Sequence, residues 1–61
     1  MEQYTREELS EALRAIASTI SKCEKVQPKL KEGSAQASLL RNRIKALQIA
    51  SALIARELDQ P

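Results

Sequence analysis

The widest hydrophobic pattern in the chain lies between residues 39 and 58. At about 100° per residue, its apolar side chains spread over roughly two thirds of the circumference of an α-helix. A helix that packs against one neighbour needs a narrower stripe, so the pattern predicts a helix with apolar surface left for a partner chain. The residues concerned are Leu39, Leu40, Ile44, Ala46, Leu47, Ile49, Ala50, Leu53, Ile54, Ala55 and Leu58.

The first half of the chain carries a narrower pattern, with alternating spacings of four and three residues that are typical of packed helices. A capping box marks its start: the Thr5 hydroxyl can accept from the Glu8 amide while the Glu8 carboxylate accepts from the Thr5 amide. Tyr4 and Leu9 flank this box with the spacing of a hydrophobic staple. We therefore expect a helix from Thr5 onward. Its apolar positions are Leu9, Leu13, Ile16, Ile20 and Cys23.

Pro28 and the pair Gly33 and Ser34 predict a corner between the two patterns. Pro28 has no amide proton and disfavours helical angles at Gln27, so we expect the first helix to stop or kink near residue 27. Gly33 suits a left-handed helix end, and Ser34 suits the N-cap of a new helix. The expected elements are a helix over 5–27, which a kink would extend to 32, a turn at 33–34, and a helix over 35–59 with Pro61 beyond it.

Two helices joined by so short a corner are expected to be antiparallel neighbours, with residues whose numbers sum to about 67 at one level. The expected pairs are Leu9–Leu58, Leu13–Ile54, Ile16–Ser51, Ile20–Leu47 and Glu24–Arg43. This pairing leaves Leu39, Ile49 and Leu53 in water. We therefore predict an all-α fold, a single helical-hairpin domain over residues 1–61 that dimerises into a four-helix bundle. A higher oligomer of the same hairpins is the alternative.

The small size of the chain also favours association. A domain of 61 residues buries only about 60% of the surface that its unfolded chain exposes. Small scaffolds usually compensate with disulfides, a metal or association. Cys23 is the one cysteine and there is no histidine, so we expect no internal disulfide, no metal and no cofactor. The expected oligomer interface comprises Leu39, Ala46, Ile49, Ala50 and Leu53.

The composition also bears on location and on catalysis. No segment has the roughly 18 to 20 consecutive apolar residues of a membrane span, and residues 1–8 have no apolar run of a signal peptide. We expect a cytoplasmic protein with no membrane contact, in which Cys23 is a reduced thiol acting as a small hydrophobe. Without histidine, a glycine-rich phosphate loop or a carboxylate cluster on an apolar face, the sequence argues against an enzyme.

Charge is sorted along the expected hairpin. The corner carries seven cations against two acids, a net charge of +5, and the open end carries six acids against three arginines, a net charge of −3. Helix dipoles account for this in the first helix but not for the cations early in the second. Two explanations follow: head-to-tail pairing of two hairpins, or an anion bound beside the N-terminus of the second helix. The candidate anion-binding residues are Arg41, Arg43, Lys45, Gln36 and Lys29.

Arg43 falls in the middle of the apolar arc, where a guanidinium needs an ionic partner and hydrogen bonds. One interpretation is an ion pair with Glu24 of the same chain or of a partner chain. The other is a polar pocket at the oligomer interface, which Arg43 would share with Gln36 and Asn42 and which would hold an anion.

The stretch Leu39–Leu47, together with Ser18–Lys25 before the turn, resembles short uncharacterised two-helix proteins of Gram-positive bacterial and phage genomes. This resemblance implies no function. We expect a small oligomeric interaction or regulatory module that packs its helices against its own or another chain, such as a host or regulatory protein. The alternative is a binder of a phosphate-bearing ligand, a nucleotide or nucleic acid, at the basic corner; a phage-encoded inhibitor or ligand-sequestering protein would be of this kind.

Overall fold

The computed structural model describes residues 3–60 and contains two α-helices, α1 (Arg6–Val26) and α2 (Ala35–Asp59). Laid end to end, helices of 21 and 25 residues would span about 70 Å. The structure measures 44 × 19 × 17 Å, and the two helices contact each other. They therefore lie side by side, which confirms the predicted all-α helical hairpin. The expectation that Pro61 follows the second helix lies outside the described residues.

The start of α1 is the predicted capping box. The Thr5 hydroxyl accepts a hydrogen bond from the Glu8 amide at 3.0 Å, and Glu8 Oε1 accepts one from the Thr5 amide at 2.9 Å. Both amides would otherwise lack a partner within the helix. Tyr4 and Leu9 line one groove at this end of the molecule, as the residues of a hydrophobic staple would. The first helix is thus anchored by its own local sequence.

The chain leaves α1 through a 3₁₀ turn over Gln27–Lys29. The α-helix ends at Val26, close to the predicted residue 27. Gln27 itself keeps helical angles, with φ −50° and ψ −48°, so the expected departure from helical angles at this residue was wrong. A 3₁₀ turn accommodates Pro28 because its missing amide proton falls in the first turn. The direction changes instead at Leu30, which is extended at φ −88° and ψ 143°.

The second helix begins immediately after a left-handed residue. Gly33 has φ 82°, a conformation that residues with a Cβ atom rarely adopt. Ser34 follows as the N-cap of α2, and its side chain accepts from the Ala37 amide at 3.1 Å. The Ser34 amide in turn donates to the Lys31 carbonyl at 3.1 Å. Hydrogen bonds therefore fix the corner from both sides of Ser34.

The least exposed positions of α2 alternate by three and four residues along its whole length. They form what we call the inner seam: Ala37, Leu40, Ile44, Leu47, Ser51, Ile54 and Leu58. The corresponding positions of α1, from Leu9 to Cys23, are half-buried as predicted. The expected cross-hairpin pairs agree with this burial, except that Glu24 and Arg43 are both exposed. The hairpin is thus held by one strip of aliphatic side chains.

This strip makes a thin core. Within residues 3–60, only Ala37 and Ile44 are buried, each 8% exposed. The Cα radius of gyration is 14.0 Å, whereas a globular chain of this length has about 10.5 Å. An elongated hairpin cannot enclose side chains on all sides, so much apolar surface stays in contact with water.

Candidate interaction surface

The side of α2 that points away from the inner seam is apolar and exposed. Leu39, Ile49 and Leu53 are 64%, 52% and 56% exposed. Ala46 is exposed between them, and Ala50 is half-buried. We call these five residues the outer apolar face; they are the ones that the sequence predicted as an oligomer interface. Single exposed apolar residues are ordinary in proteins, but a continuous set along one helix is typical of an interaction site.

Two grooves lie between the halves of the hairpin, and one of them includes Leu39 of the outer apolar face. The turn-end groove is lined by Val26, Leu30, Gln36, Leu39, Leu40 and Arg43. The open-end groove is lined by Tyr4, Glu8, Leu9, Ala12 and Ile54. In each groove apolar side chains from both halves of the hairpin meet. A partner that covers Leu39 in the turn-end groove would therefore also contact Val26 of α1.

Both grooves lie on the same side of the hairpin. Ala12 and Val26 are fourteen residues apart on α1, and Leu40 and Ile54 are fourteen residues apart on α2. Fourteen residues are almost four complete helical turns, so each pair shares a helix face to within about 40°. The two grooves consequently lie at the two ends of one side of the hairpin.

The contribution of α1 to this surface was missed from the sequence. Three residues recur every seven positions on α1, next to its half-buried positions: Ala12, Thr19 and Val26. This recurrence was the signal in the sequence for a second strip on α1. Thr19 does not make the strip strongly polar, because its hydroxyl donates to the Ala15 carbonyl at 2.9 Å. A partner helix could cover this strip without leaving that hydroxyl unpaired.

The candidate anion-binding residues are divided between two sides of the hairpin. Gln36 and Arg43, seven residues apart, line the turn-end groove together. Arg41 instead lines a third groove, separate from the turn-end and open-end grooves, with Gln27, Pro28, Leu30, Glu32 and Ala37. Lys45 lies one helical turn after Arg41, and Lys29 belongs to the 3₁₀ turn; both are exposed. The structure thus brings Gln36 and Arg43 together and separates them from Arg41.

The N-terminus of α2 has already used part of its hydrogen-bonding capacity. The Ala37 amide donates to the Ser34 hydroxyl at 3.1 Å and the Ser34 amide donates to the Lys31 carbonyl at 3.1 Å. Both are among the amides that have no acceptor within the helix itself. An anion bound here would therefore rely on the side chains of the cations rather than on these two amides.

Arg43 and Glu24 are both exposed in the single chain. Solvent therefore hydrates the Arg43 guanidinium, and the hairpin alone does not require the ion pair that the sequence suggested. The requirement arises only when a partner covers the turn-end groove, because the guanidinium would then lose water.

Three further features of the described residues concern metal binding, the cysteine and membrane insertion. Within residues 3–60, no three histidine, cysteine, aspartate or glutamate side chains cluster closely enough to hold a metal ion. Cys23 is a free, half-buried thiol in the seam between the helices. Neither α1 nor α2 combines the length and the hydropathy that a membrane-spanning helix requires.

The chain matches no family model, no curated protein and no solved structure in the comparisons made.

Proposed function

We propose that the protein is a small, non-catalytic oligomeric interaction module whose outer apolar face packs against the helices of a second chain, in the first instance a second copy. The observation that carries this proposal is the exposure of Leu39, Ile49 and Leu53 along α2, on a side other than the inner seam that packs against α1. If this apolar surface stayed in water, a chain of 61 residues would bury little apolar area to stabilise its fold.

The free energy gained by burying the exposed side chains is similar in size to the free-energy cost of association. Complete burial of a leucine or isoleucine side chain contributes about 1.5–3 kcal/mol, so covering a half-exposed one contributes about 1–1.5 kcal/mol. Three such residues from each of two copies give about 6–9 kcal/mol, and association costs about 4–15 kcal/mol. Because these ranges overlap, the smaller contributions of Val26, Tyr4 and the alanines help to decide the affinity. Association is therefore expected to shift with protein concentration.

The decisive experiment compares Leu53→Glu with Ala52→Glu by sedimentation equilibrium. Both residues are exposed in the hairpin, so neither substitution introduces a charge into its core. They are neighbours on α2, but Ala52 lies on the side that carries Lys45 and Asp59, seven residues before and after it. Leu53→Glu should convert the oligomer to a monomer of unchanged helix content, and Ala52→Glu should leave its mass unchanged. A wild-type monomer at high concentration would contradict the proposal.

A second candidate function is the binding of a phosphate-bearing ligand, and it is favoured by the cations gathered around the turn. Here Arg41 and Lys45 would contact the ligand from one side, or Gln36 and Arg43 from the turn-end groove. A phage-encoded inhibitor or ligand-sequestering protein would be an instance of this function.

Equilibrium dialysis with a nucleoside triphosphate, and gel shift with short RNA and DNA duplexes, would test this candidate. Binding that weakens steeply as salt increases, and that is lost in an Arg41→Gln/Lys45→Gln or an Arg43→Gln variant of unchanged oligomeric mass, would support it. Absence of binding at low salt would exclude it.

A further inference from the structure

The uncovered side of α2 carries a second heptad pattern beside the inner seam. We call it the outer seam, and its spacings alternate by four and three: Leu39, Arg43, Ala46, Ala50, Leu53 and Glu57. Arg43 precedes Ile44 of the inner seam by one residue, so the two seams are about 100° apart around the helix. A helix of a four-helix bundle contacts two neighbours through faces separated in this way.

We propose that a second copy of the chain docks on the outer seam with its α2 antiparallel, so that Arg43 of each copy pairs with Glu57 of the other. This inference rests on the proposed function, because it specifies how the self-association would occur. The occupant is a second copy rather than another protein because the outer seam carries one cation and one anion near opposite ends. When a second copy of such a seam lies antiparallel to the first, each cation lies near the anion of the other copy.

Charge selects the antiparallel orientation. A parallel, in-register pair would bring the two Arg43 side chains together at one end and the two Glu57 side chains together at the other. Both residues are exposed in the hairpin, so each is free to meet a partner chain. Reversing one helix replaces both repulsions with attractions.

The positions of the alanines select the register. When Ala46 of one helix faces Ala50 of the other, residues whose numbers sum to 96 lie opposite each other. Small residues at the centre let the two backbones approach closely, and this register matches the alternating spacing of the seam along its full length. Leu39 then faces the Glu57 position of the second copy, and Arg43 faces its Leu53 position.

Side-chain direction completes the pairing. Long side chains on an α-helix lean toward its N-terminus, so Arg43 leans toward the level of Leu39. That is the level at which Glu57 of the second copy lies in this register. The aliphatic part of the Arg43 side chain would meanwhile cover Leu53 of that copy. One guanidinium can thus satisfy its charge at the edge of the interface while its methylene groups are buried.

Charge reversal tests the pairing by sedimentation equilibrium. Arg43→Glu and Glu57→Arg should each weaken dimerisation about tenfold, because each dimer would lose two attractions and gain two repulsions. The double variant Arg43→Glu/Glu57→Arg should recover most of the wild-type affinity. Arg41→Glu and Asp59→Arg are the matched controls: they make the same charge changes at exposed positions of α2 outside the outer seam and should have much smaller effects.

Spin-label distances test the orientation and the register together. In a Cys23→Ala background, single labels at Ser38→Cys and Ala52→Cys occupy exposed positions fourteen residues apart on one side of α2. With the centre at position 48, antiparallel copies separate the two labels along the axis by about 30 Å at position 38 and about 12 Å at position 52. A parallel dimer would give nearly equal distances at the two positions.

The possible results are distinguishable. Single reversals that weaken the dimer, a swap that restores it and a longer distance at position 38 would support the proposal. A wild-type dimer in which the reversals behave like their controls, or in which the two distances are equal, would overturn this pairing and leave the proposed self-association intact. A monomeric wild-type chain at high concentration would overturn both.

Discussion

Ile44 and Ile49 lie five residues apart on α2, yet Ile44 is 8% exposed and Ile49 is 52% exposed. The five-residue interval turns the helix by about 140° beyond a full turn, which moves the side chain from the inner seam to the outer apolar face. The same residue type therefore performs two different tasks in one helix. Ile44 holds the hairpin together, and Ile49 is available to a partner.

This relationship predicts different consequences for the same substitution. Ile44→Ala should reduce the free energy of unfolding by about 2–3 kcal/mol at every protein concentration, since it removes buried contacts from the thin core. Ile49→Ala should reduce it only where the wild-type chain is associated. Urea denaturation of both variants at low and high concentration would measure these effects. Equal losses for the two variants at low concentration would contradict the distinction.

The thin core also predicts that stability depends on concentration. If the folded hairpin is stabilised by a second copy, a hundredfold increase in concentration above the dissociation constant favours the folded state by about 2.7 kcal/mol per dimer, or about 1.4 kcal/mol per chain. For a domain of this size, each kcal/mol corresponds to a rise in the midpoint of thermal unfolding of about 4–8 °C. Circular dichroism melts across that concentration range would measure the shift. The Leu53→Glu variant should show no such dependence, and a wild-type midpoint independent of concentration would count against coupling between folding and association.

The sequence predicted the elements and faces of this hairpin well because helix periodicity and capping are local properties. Thr5, Glu8 and Ser34 act within three residues along the chain. The part of the inner seam from Leu47 to Leu58 follows from spacing, whereas the pairing placed Arg43 at the level where Ile44 is buried. These features required no knowledge of how the helices pack.

The composite surface could not be predicted in the same way. Which flank of α1 lies beside which flank of α2 depends on the handedness of the hairpin, and the extended Leu30 and left-handed Gly33 determine the path between the helices. The seven-residue spacing of Ala12 and Val26 therefore indicates a shared strip on α1, but it does not say which flank of α2 that strip adjoins. The separation of Arg41 from Arg43 has a simpler cause: two residues rotate the helix by about 200°, so proximity in sequence put them on different sides.

The capping box makes a local prediction that does not depend on association. Thr5→Ala should destabilise the first turn of α1 by about 1 kcal/mol, because the Glu8 amide loses its hydroxyl acceptor. Amide hydrogen exchange at Glu8 and Leu9, whose amides donate to the Thr5 hydroxyl and carbonyl, should become faster. Thr19→Ala is the control, because the Thr19 hydroxyl donates to the Ala15 carbonyl in the middle of α1 and takes no part in the N-cap. In Thr19→Ala, amide exchange in the first turn of α1 should be unaffected. Unchanged exchange in Thr5→Ala would contradict the role of the cap.

Gly33 provides a test of the corner in which two effects of opposite sign compete. A Cβ atom at this position would meet nothing within 4 Å, so the cost of Gly33→Ala comes from the backbone angle of φ 82° alone. Placing a residue with a Cβ atom in the left-handed region costs about 1–2 kcal/mol, whereas restricting the unfolded chain by replacing glycine contributes about 0.4–1 kcal/mol in favour of the folded state. The difference predicts a net destabilisation of about 0.5–1 kcal/mol, measured by urea denaturation. Gly33→Asn should cost less, because asparagine tolerates left-handed angles better than alanine. If Gly33→Ala instead stabilised the chain, the corner would have to use another conformation, and the relative placement of α1 and α2 derived from it would change as well.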